Sequence, residues 1–319
     1  MRQKMRPHVA RWKWLCTTPP STIGRIALQR LSTQAIGNLK ILQHQHISDP
    51  AQDGIVKYDH ASEVQERLRE RFLHWKSVSS EKPDAADTCP PPQLITFEST
   101  PTYTLGRRQD NPSPEQTDRL RQELTVDLPH RPNAIRGRTF TPDIRKTNRG
   151  GLTTYHGPGQ IVLWPVLDMR SPLYPNYSVA SYAGHLESTT QRLLAELFGI
   201  KTYISPDEPG VWVTTPGNQP ARKIAALGVH HRRYVTALGI ALNVDIPVSG
   251  PESTNAWARF VPCGLDGKEV TSIAAEVGSE KDRPWDLAVL AGTWAKFFEE
   301  GLLDTPKRLF EGLDSSLSR

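Results

Sequence analysis

Apolar and polar positions along the 319-residue chain switch between a period of two and a period near 3.6, and the switches mark its elements. Residues 39–47 read as a first strand. Val64, Leu68 and Phe72 then recur at helical spacing and predict an amphipathic helix over residues 61–75. Residues 77–92 are polar and proline-rich and read as a loop, whereas the apolar run 94–97 reads as a buried strand leading into 102–107. Residues 108–147 show little periodicity and are expected to form a long insertion with little regular structure.

The second half is more regular. Residues 161–167 form an apolar strand in which Pro165 points to an edge or a bulge. Ser178 is placed to cap a helix whose apolar face is Val179, Tyr182, Leu186, Leu193, Leu194 and Leu197, with Gly199 as its stop. Strands are predicted at 210–214, 223–229 and 234–244, the last two as a hairpin. A short helix at 272–277, a longer one at 285–298 with Leu287, Leu290, Trp294 and Phe297 inward, and a polar tail over 304–319 complete the pattern. Strands outnumber helices and the hairpin is antiparallel, so the expected fold is one α+β domain over residues 39–303, a mixed β-sheet with flanking helices.

Charge changes this picture at one end. Residues 1–48 hold eight Lys and Arg and no acid; removing those eight from the chain's 39 basic residues leaves 31 against 34 acidic ones. The net charge of +5 therefore belongs to the leader. An Arg-rich, acid-free start with Ser, Thr and scattered aliphatics reads as a mitochondrial transit peptide over residues 1–38, and so predicts the mitochondrial matrix. Without dense Lys/Arg clusters or an aromatic-basic pattern, no nucleic-acid partner is expected. No run reaches the roughly 18 apolar residues of a membrane span, so a soluble protein is expected.

Three cysteines, Cys16, Cys89 and Cys263, form no C-x-x-C pair. Cys16 lies in the leader and Cys89 in the proline-rich stretch, read as an exposed loop without a partner base. Cys263 sits between Pro262, which stiffens the approach, and Gly264, which lets the backbone fold closely behind the sulfur. That setting suits a presented nucleophile; the plain alternative is a small buried hydrophobe. Lys223, about forty residues earlier, would lower the thiol pKa if it stood beside it. On its own it reads first as an exposed lysine at a strand start, although Ala225 and Ala226 leave room for it to turn into a cleft.

The stretch Arg149-Gly150-Gly151-Leu152-Thr153-Thr154-Tyr155-His156-Gly157-Pro158-Gly159-Gln160 is neither a Walker loop nor a dinucleotide fingerprint. Its glycines permit close backbone approach to a slender ligand such as an acyl chain. His156 is open to three roles: general base, oxyanion donor or hydrogen-bonded structural histidine. His230-His231 is read as a solvated turn. No Cys/His set has zinc spacing, so no metal is expected.

Arg149–Gln160, Lys223 to Gly228 with Gly239-Ile240-Ala241-Leu242-Asn243, and Val261-Pro262-Cys263-Gly264 followed by Val270-Thr271-Ser272 resemble, in order, the three signature blocks of the lipoyl(octanoyl) transferases. Tyr103-Thr104-Leu105-Gly106-Arg107, Gly210-Val211-Trp212, and Tyr58 with Gln65 add to the likeness, which spans roughly residues 39–300. One departure is Glu98-Ser99, where the family usually has Glu-His.

The resemblance implies a biotin/lipoate ligase-like fold. It also implies transfer of octanoyl from octanoyl-acyl carrier protein to a lysine of a lipoyl-accepting domain, such as glycine cleavage H protein or a 2-oxoacid dehydrogenase E2. Cys263 would carry the acyl-thioester, and Lys223 would pair with it and tune its acidity. Residues 149–156, Ala226, Leu227, Gly228, Gly239, Ile240 and Ala241 would line the acyl pocket, with Tyr58 closing one wall. Read from the residues themselves, Arg136, Arg138, Arg145 and Lys146 have two open readings, a basic lip for the acidic carrier and a solvated insertion. No cofactor is required, because one thioester becomes another. The alternatives are an ATP-dependent lipoate or biotin-type ligase and a thiol hydrolase pairing Cys263 with His156.

Overall fold

The structure is a computed structural model that describes residues 40–81, 89–128, 131, 134–217, 219–260, 268–278 and 286–314, with side chains to 303. The leader and Cys263 lie outside the described residues. The first half contains β1 (Gln43–Ile47), α1 (Tyr58–Glu81), β2 (Gln93–Phe97), β3 (Thr102–Leu105) and α2 (Pro114–Arg121). It continues through β4 (Leu124–Leu128), β5 (Ile135–Phe140), β6 (Asp143–Lys146), β7 (Thr153–His156) and β8 (Gln160–Val166). The second half contains α3 (Val179–Phe198), β9 (Thr202–Ile204), β10 (Gly210–Val213), β11 (Arg222–Arg232), β12 (Val235–Asn243), β13 (Glu269–Val270), α4 (Ile273–Val277) and α5 (Leu287–Asp314).

The main sheet runs β1-β2-β8-β12-β11-β10-β9, with β13 also on β11. Its β1–β2 and β11–β13 pairings are parallel and the rest antiparallel, the mixed sheet expected from the sequence. On one face α3 and α5 lay Tyr182, Leu186, Leu193, Trp294 and Phe298 against Leu163, Ile224, Ile240 and Leu242. On the other, α1 brings Tyr58 and Ala61 onto Ile95, Phe97, Val162 and Trp164. A small sheet, β6-β3-β7, and the hairpin β4-β5 enclose a further cluster around Tyr103, Tyr155 and Trp257. Among the described residues no helix is long and apolar enough to cross a membrane.

The caps of α3 match the sequence reading: Ser178 and Ser181 form a capping box, and Gly199 closes the helix at φ 68°. Several expectations need correction. The 108–147 segment is regular, carrying α2, β4, β5 and β6. Ser113 and Gln116 cap α2 reciprocally with Pro114 in its first turn, and Leu124, Val126 and Leu128 alternate into the core. Its apolar positions are too few and too interleaved with charge to stand out as periodicity. α1 continues past 75 to Glu81 and α5 runs to Asp314, where a loop and a tail were expected to begin.

His230 and His231 belong to β11; the turn is Arg233-Tyr234, both left-handed at φ 50° and 68° as a two-residue hairpin turn requires. Cys89 is half-buried, with Sγ 3.4 Å from Ser171 Oγ and its thiol pKa pushed up by burial. The basic lip is largely occupied. Arg145 grips the Asp59 carboxylate at 2.8 Å, Arg138 reaches Asp53 at 3.0 Å, and Lys146 donates to Asn111 at 3.2 Å.

Pro165 is not at an edge, since β8 lies between β2 and β12. The β8–β12 register is the same on both sides of Pro165, with Leu163 opposite Ile240 and Asp168 opposite Val235, so no residue is inserted. The regular ladder is interrupted between these two pairs, over the stretch where Pro165 faces Leu238. Pro165 has no N–H, and its carbonyl accepts from Thr236 Oγ1 at 2.9 Å. The Leu238 N–H donates instead to Gln65 Oε1 of α1 at 3.2 Å.

A buried ion triad fixes the β7–β8 turn. Arg131 donates to Glu98 at 2.8 Å and, through Nε and Nη2, to both Asp245 oxygens at 2.9 Å, while Glu98 Oε1 accepts from the Gly159 N–H at 2.6 Å. All three side chains are almost fully buried. Gly159 must be glycine: its φ is 96°, and a Cβ would stand 2.4 Å from the Ile246 backbone. Removing one member of a buried charge network leaves the others uncompensated. Arg131→Met is expected to destabilise the fold by about 3–5 kcal/mol in urea unfolding; an unchanged midpoint would show that the triad contributes no net stability.

Candidate active site

The site grows out of the β11–β12 hairpin. Ala226 pairs with Ala241 and Gly228 with Gly239, so two neighbouring cross-strand pairs present almost no side chain toward α1. The side chains of Ile240 and Leu242 pack on the opposite face under α3 and α5, and Leu227 and Ile240 still contribute to the lining of the hollow between the small pairs. A Cβ on Gly239 would stand 2.2 Å from the Leu163 carbonyl oxygen, and one on Gly228 2.7 Å from Arg149 Cδ. The result is a shallow trough roofed by Tyr58, Trp164, His156 and Arg149. As folded its volume is about 30 Å³, room for about one water.

Strict alternation would put Lys223 on the opposite face from Ala226 and Gly228. A β-bulge prevents this. On β10, Val211 pairs with Ala225 but the next residue, Trp212, pairs with Lys223, leaving Ile224 as an extra residue on β11. Ile224 and Ala225 are both buried under α3 and α5, and the phase of the strand is reset so that Lys223 lines the same cleft as Ala226 and Gly228. The Lys223 side chain is held. It is 7% exposed, Nζ donates to the Pro209 carbonyl at 3.3 Å, and it lies 4.5 Å from the centroid of the Trp212 ring. Trp212 Nε1 in turn donates to the Glu208 carbonyl at 3.1 Å.

This cleft, about 590 Å³, is lined by Arg149, Gly150, Gly151, Leu152, Lys223, Ala226, Leu227 and Gly228 of the predicted set. It shares Arg149, Ala226, Leu227 and Gly228 with the trough, so the glycine-rich segment and Lys223 line two adjoining hollows with Arg149 between them. The loop is tied down by Gly106, whose N–H donates to the Leu152 carbonyl at 3.2 Å, and by Arg149, whose guanidinium donates to Thr104 Oγ1 at 2.9 Å. Lys268 pairs with Glu208, and Val270 pairs with Lys223.

Two predicted lining residues point elsewhere. In β7, Thr154 and His156 face the trough, so Thr153 and Tyr155 face away. Thr153 Oγ1 bonds Gln109 at 3.0 Å, and the Tyr155 ring packs 5.1 Å from Tyr103 and 5.6 Å from Trp257. Gly157 and Gly159 serve the fold, not a ligand; Gly157 is crowded by the Tyr155 hydroxyl.

His156 is a wall. Its Nδ1–H donates to Gln160 Oε1 at 2.8 Å, Gln160 Nε2 donates to Asn243 Oδ1 at 2.9 Å, and Asn243 Nδ2 to the Thr271 carbonyl at 2.9 Å. The ring stacks on Tyr58 with centroids 5.5 Å apart. Burial, with a smaller contribution from Arg149, pushes its pKa down to about 4, so at neutral pH it is an uncharged imidazole fixed in one tautomer. Burial likewise pushes the Tyr58 hydroxyl up. Ser99, where a histidine was expected, is buried with its hydroxyl on the Thr100 carbonyl at 2.8 Å.

The lipoyl protein ligase A/B catalytic domain matches residues 71–291 of the chain. The chain belongs to this family. Among curated relatives, the zebrafish (Danio rerio) mitochondrial octanoyl-acyl-carrier-protein:protein N-octanoyltransferase LIPT2 is 37% identical over 199 residues, 62% of this chain and 73% of that protein. An octanoyltransferase of Acidothermus cellulolyticus is 34% identical over 70% of this chain and 80% of its own length. One from Mycobacterium leprae is 35% identical over 59% and 67%.

In this member of the family, sequence reasoning missed Trp164 and Leu238 in the trough and Arg107, Arg108, Asp207, Glu208 and Pro209 around the cleft. Trp164 was legible by period two, because it shares a face of β8 with Val162 opposite Ala241. Leu238 was not, because its left-handed backbone breaks the alternation. His156 supplies a direct test. Between about pH 4 and its ordinary 6.5 the unfolded chain binds more protons at this position, so stability falls as pH drops through that window. An NMR titration of His156 is expected to find it neutral at pH 6; an imidazole titrating near 6.5 would contradict the wall role.

Proposed function

We propose that this member of the lipoyl protein ligase A/B catalytic-domain family is an octanoyltransferase of protein lipoylation. It takes octanoyl from octanoyl-acyl carrier protein and delivers it to a lysine of a lipoyl-accepting domain, with residues 39–303 as the catalytic domain. The observation that carries the reading is the bulge that turns Lys223 into a cleft adjoining a trough of small residues, a place for a cation beside a place for an acyl chain. The names of the relatives support the same chemistry. Mitochondrial residence, in the matrix, is proposed from the acid-free basic leader and the mitochondrial relative.

In the first step the Cys263 thiolate attacks the octanoyl carbonyl. The tetrahedral intermediate expels the carrier thiolate, which takes a proton from the Lys223 ammonium and leaves as the thiol, and octanoyl is left on Cys263 with Lys223 neutral. One thioester replaces another, so the step is nearly isoenergetic and needs no nucleotide or metal. In the second, the acceptor amine attacks the Cys263 thioester, its proton passes to neutral Lys223, and the Cys263 thiolate leaves as the amide forms. Lys223 as ammonium favours the thiolate before the first step. Backbone N–H groups around Cys263-Gly264 or Gly228 are the candidates for holding the oxyanion.

A thiol hydrolase would need His156 as base, a role poorly matched by a buried imidazole whose Nδ1–H is committed to Gln160 and whose pKa is near 4. The test is intact mass spectrometry with octanoyl carrier protein and an apo lipoyl domain, without nucleotide. The wild type is expected to gain a hydroxylamine-labile octanoyl adduct and to pass it to the acceptor. Cys263→Ser should form no adduct, and Lys223→Met should slow acceptor modification by about 10² or more. A labile adduct persisting on the Ser variant, or an absolute need for ATP, would overturn the reading.

A further inference from the structure

Four described residues other than glycine have left-handed backbones: Asp53, Arg233, Tyr234 and Leu238. Asp53 ends a short 3-10 turn and the arginine-tyrosine pair makes the hairpin turn, but Leu238 lies inside β12 at φ 61°. For a residue of its size this conformation costs roughly 1–3 kcal/mol and persists only where its surroundings enforce it. Here they do. Pro165 opposite has no N–H to complete the rung, and Gln65, only 4% exposed on α1, accepts the Leu238 N–H at 3.2 Å. Gln65 Nε2 finds no partner among the described residues, so a buried amide is half satisfied to hold this one bond.

The consequence is a change of face. By alternation Leu238 belongs with Ile240 and Leu242, which pack under α3 and α5. Instead its side chain joins the α1 side, packed with Tyr58, Trp164 and Ala241, and lines the trough. Its position along the trough is defined. Ala226–Ala241 and Gly228–Gly239 form the floor on the side that opens to Lys223, and Leu238, paired with Val229, stands beyond the glycine pair.

We infer that Leu238, turned into the trough by its left-handed backbone and held by Gln65, is the end stop that sets the length of acyl chain the site accepts. The inference rests on the octanoyltransferase reading and adds a specificity-determining residue to it. A chain threading from the Lys223 cleft passes two pairs of alanine and glycine before meeting the first large side chain that β12 sends into its path. Glycine at 238 would relieve the backbone strain and remove the obstruction together.

The experiment measures acceptor modification from octanoyl and dodecanoyl carrier protein in parallel for wild type, Leu238→Gly and Leu238→Ala, with circular dichroism to confirm folding. The wild type is expected to favour octanoyl. The ratio of dodecanoyl to octanoyl transfer should rise about tenfold or more in the glycine variant, the scale on which apolar pockets discriminate methylene groups, and in the same direction with alanine. Folded variants that keep the wild-type ratio within about twofold of its value would overturn the inference while leaving octanoyl transfer intact. A wild type that transfers neither chain overturns the octanoyltransferase reading and the inference with it.

Discussion

The period of two along β11 and β12 is the constraint on which the site depends. Facing the helices α3 and α5, this hairpin carries Ile240 and Leu242; facing α1, it carries two alanines and two glycines in direct register. One face is a packed core and the other a floor without side chains, from the same two strands. The rule is broken twice, once at each end of that floor. The extra residue Ile224 brings Lys223 onto the bare face, and the left-handed Leu238 brings a leucine onto it. Each exception places on the floor a side chain that regular pleating would have buried behind it.

The walls around this floor are made rigid by polar contacts. The chain of donors from His156 through Gln160 and Asn243 to the Thr271 carbonyl runs from the roof of the trough to the segment after β13, and the Thr271 N–H donates to the Lys223 carbonyl at 2.9 Å. A buried network that is fully satisfied fixes one geometry. The Glu98–Arg131–Asp245 triad does the same for the β7–β8 turn, at the cost of desolvating three charges: burial raises the Glu98 carboxyl pKa despite Arg131 and the Gly159 N–H. The inserted segment belongs to this frame, because Arg131 comes from it and Leu120, Leu124 and Ile135 close the cluster behind Tyr155.

What could be read from the sequence follows from how local each signal was. The capped helix from Ser178 to Gly199, the hairpin and the mixed sheet rest on periodicity and end signals within a few residues, and they are present. The small positions Ala226, Gly228, Gly239 and Ala241 were reached through the family resemblance, because nothing local in the sequence shows that they share one face. Tyr155 and Thr153 were misassigned because a motif was taken whole where a strand divides it between two faces. Lys223 reached the cleft for a reason the sequence does not carry: the bulge is decided by the pairing with β10, and the roles of Leu238 and Gln65 depend on a proline four strands earlier in the sequence.

The trough volume sets one last condition on how such a site works. At about 30 Å³ it is too small for an eight-carbon chain, so side chains must move when one enters. The energetic scale permits this. Burying seven methylene or methyl groups contributes on the order of 5–6 kcal/mol at about 0.8 kcal/mol each, whereas a typical hydrogen bond is worth a net of about 1 kcal/mol. Arg149 crosses Gly228 between trough and cleft, and its guanidinium is held by Thr104 and the Gly150 carbonyl. Its hydrogen bonds are charge-assisted and worth about 1.5–3 kcal/mol each, so swinging it aside costs about as much as the chain supplies. The floor has no side chains to move, so the adjustment falls on the roof, on Arg149 and Tyr58, and the end of the path stays where the backbone at Leu238 puts it.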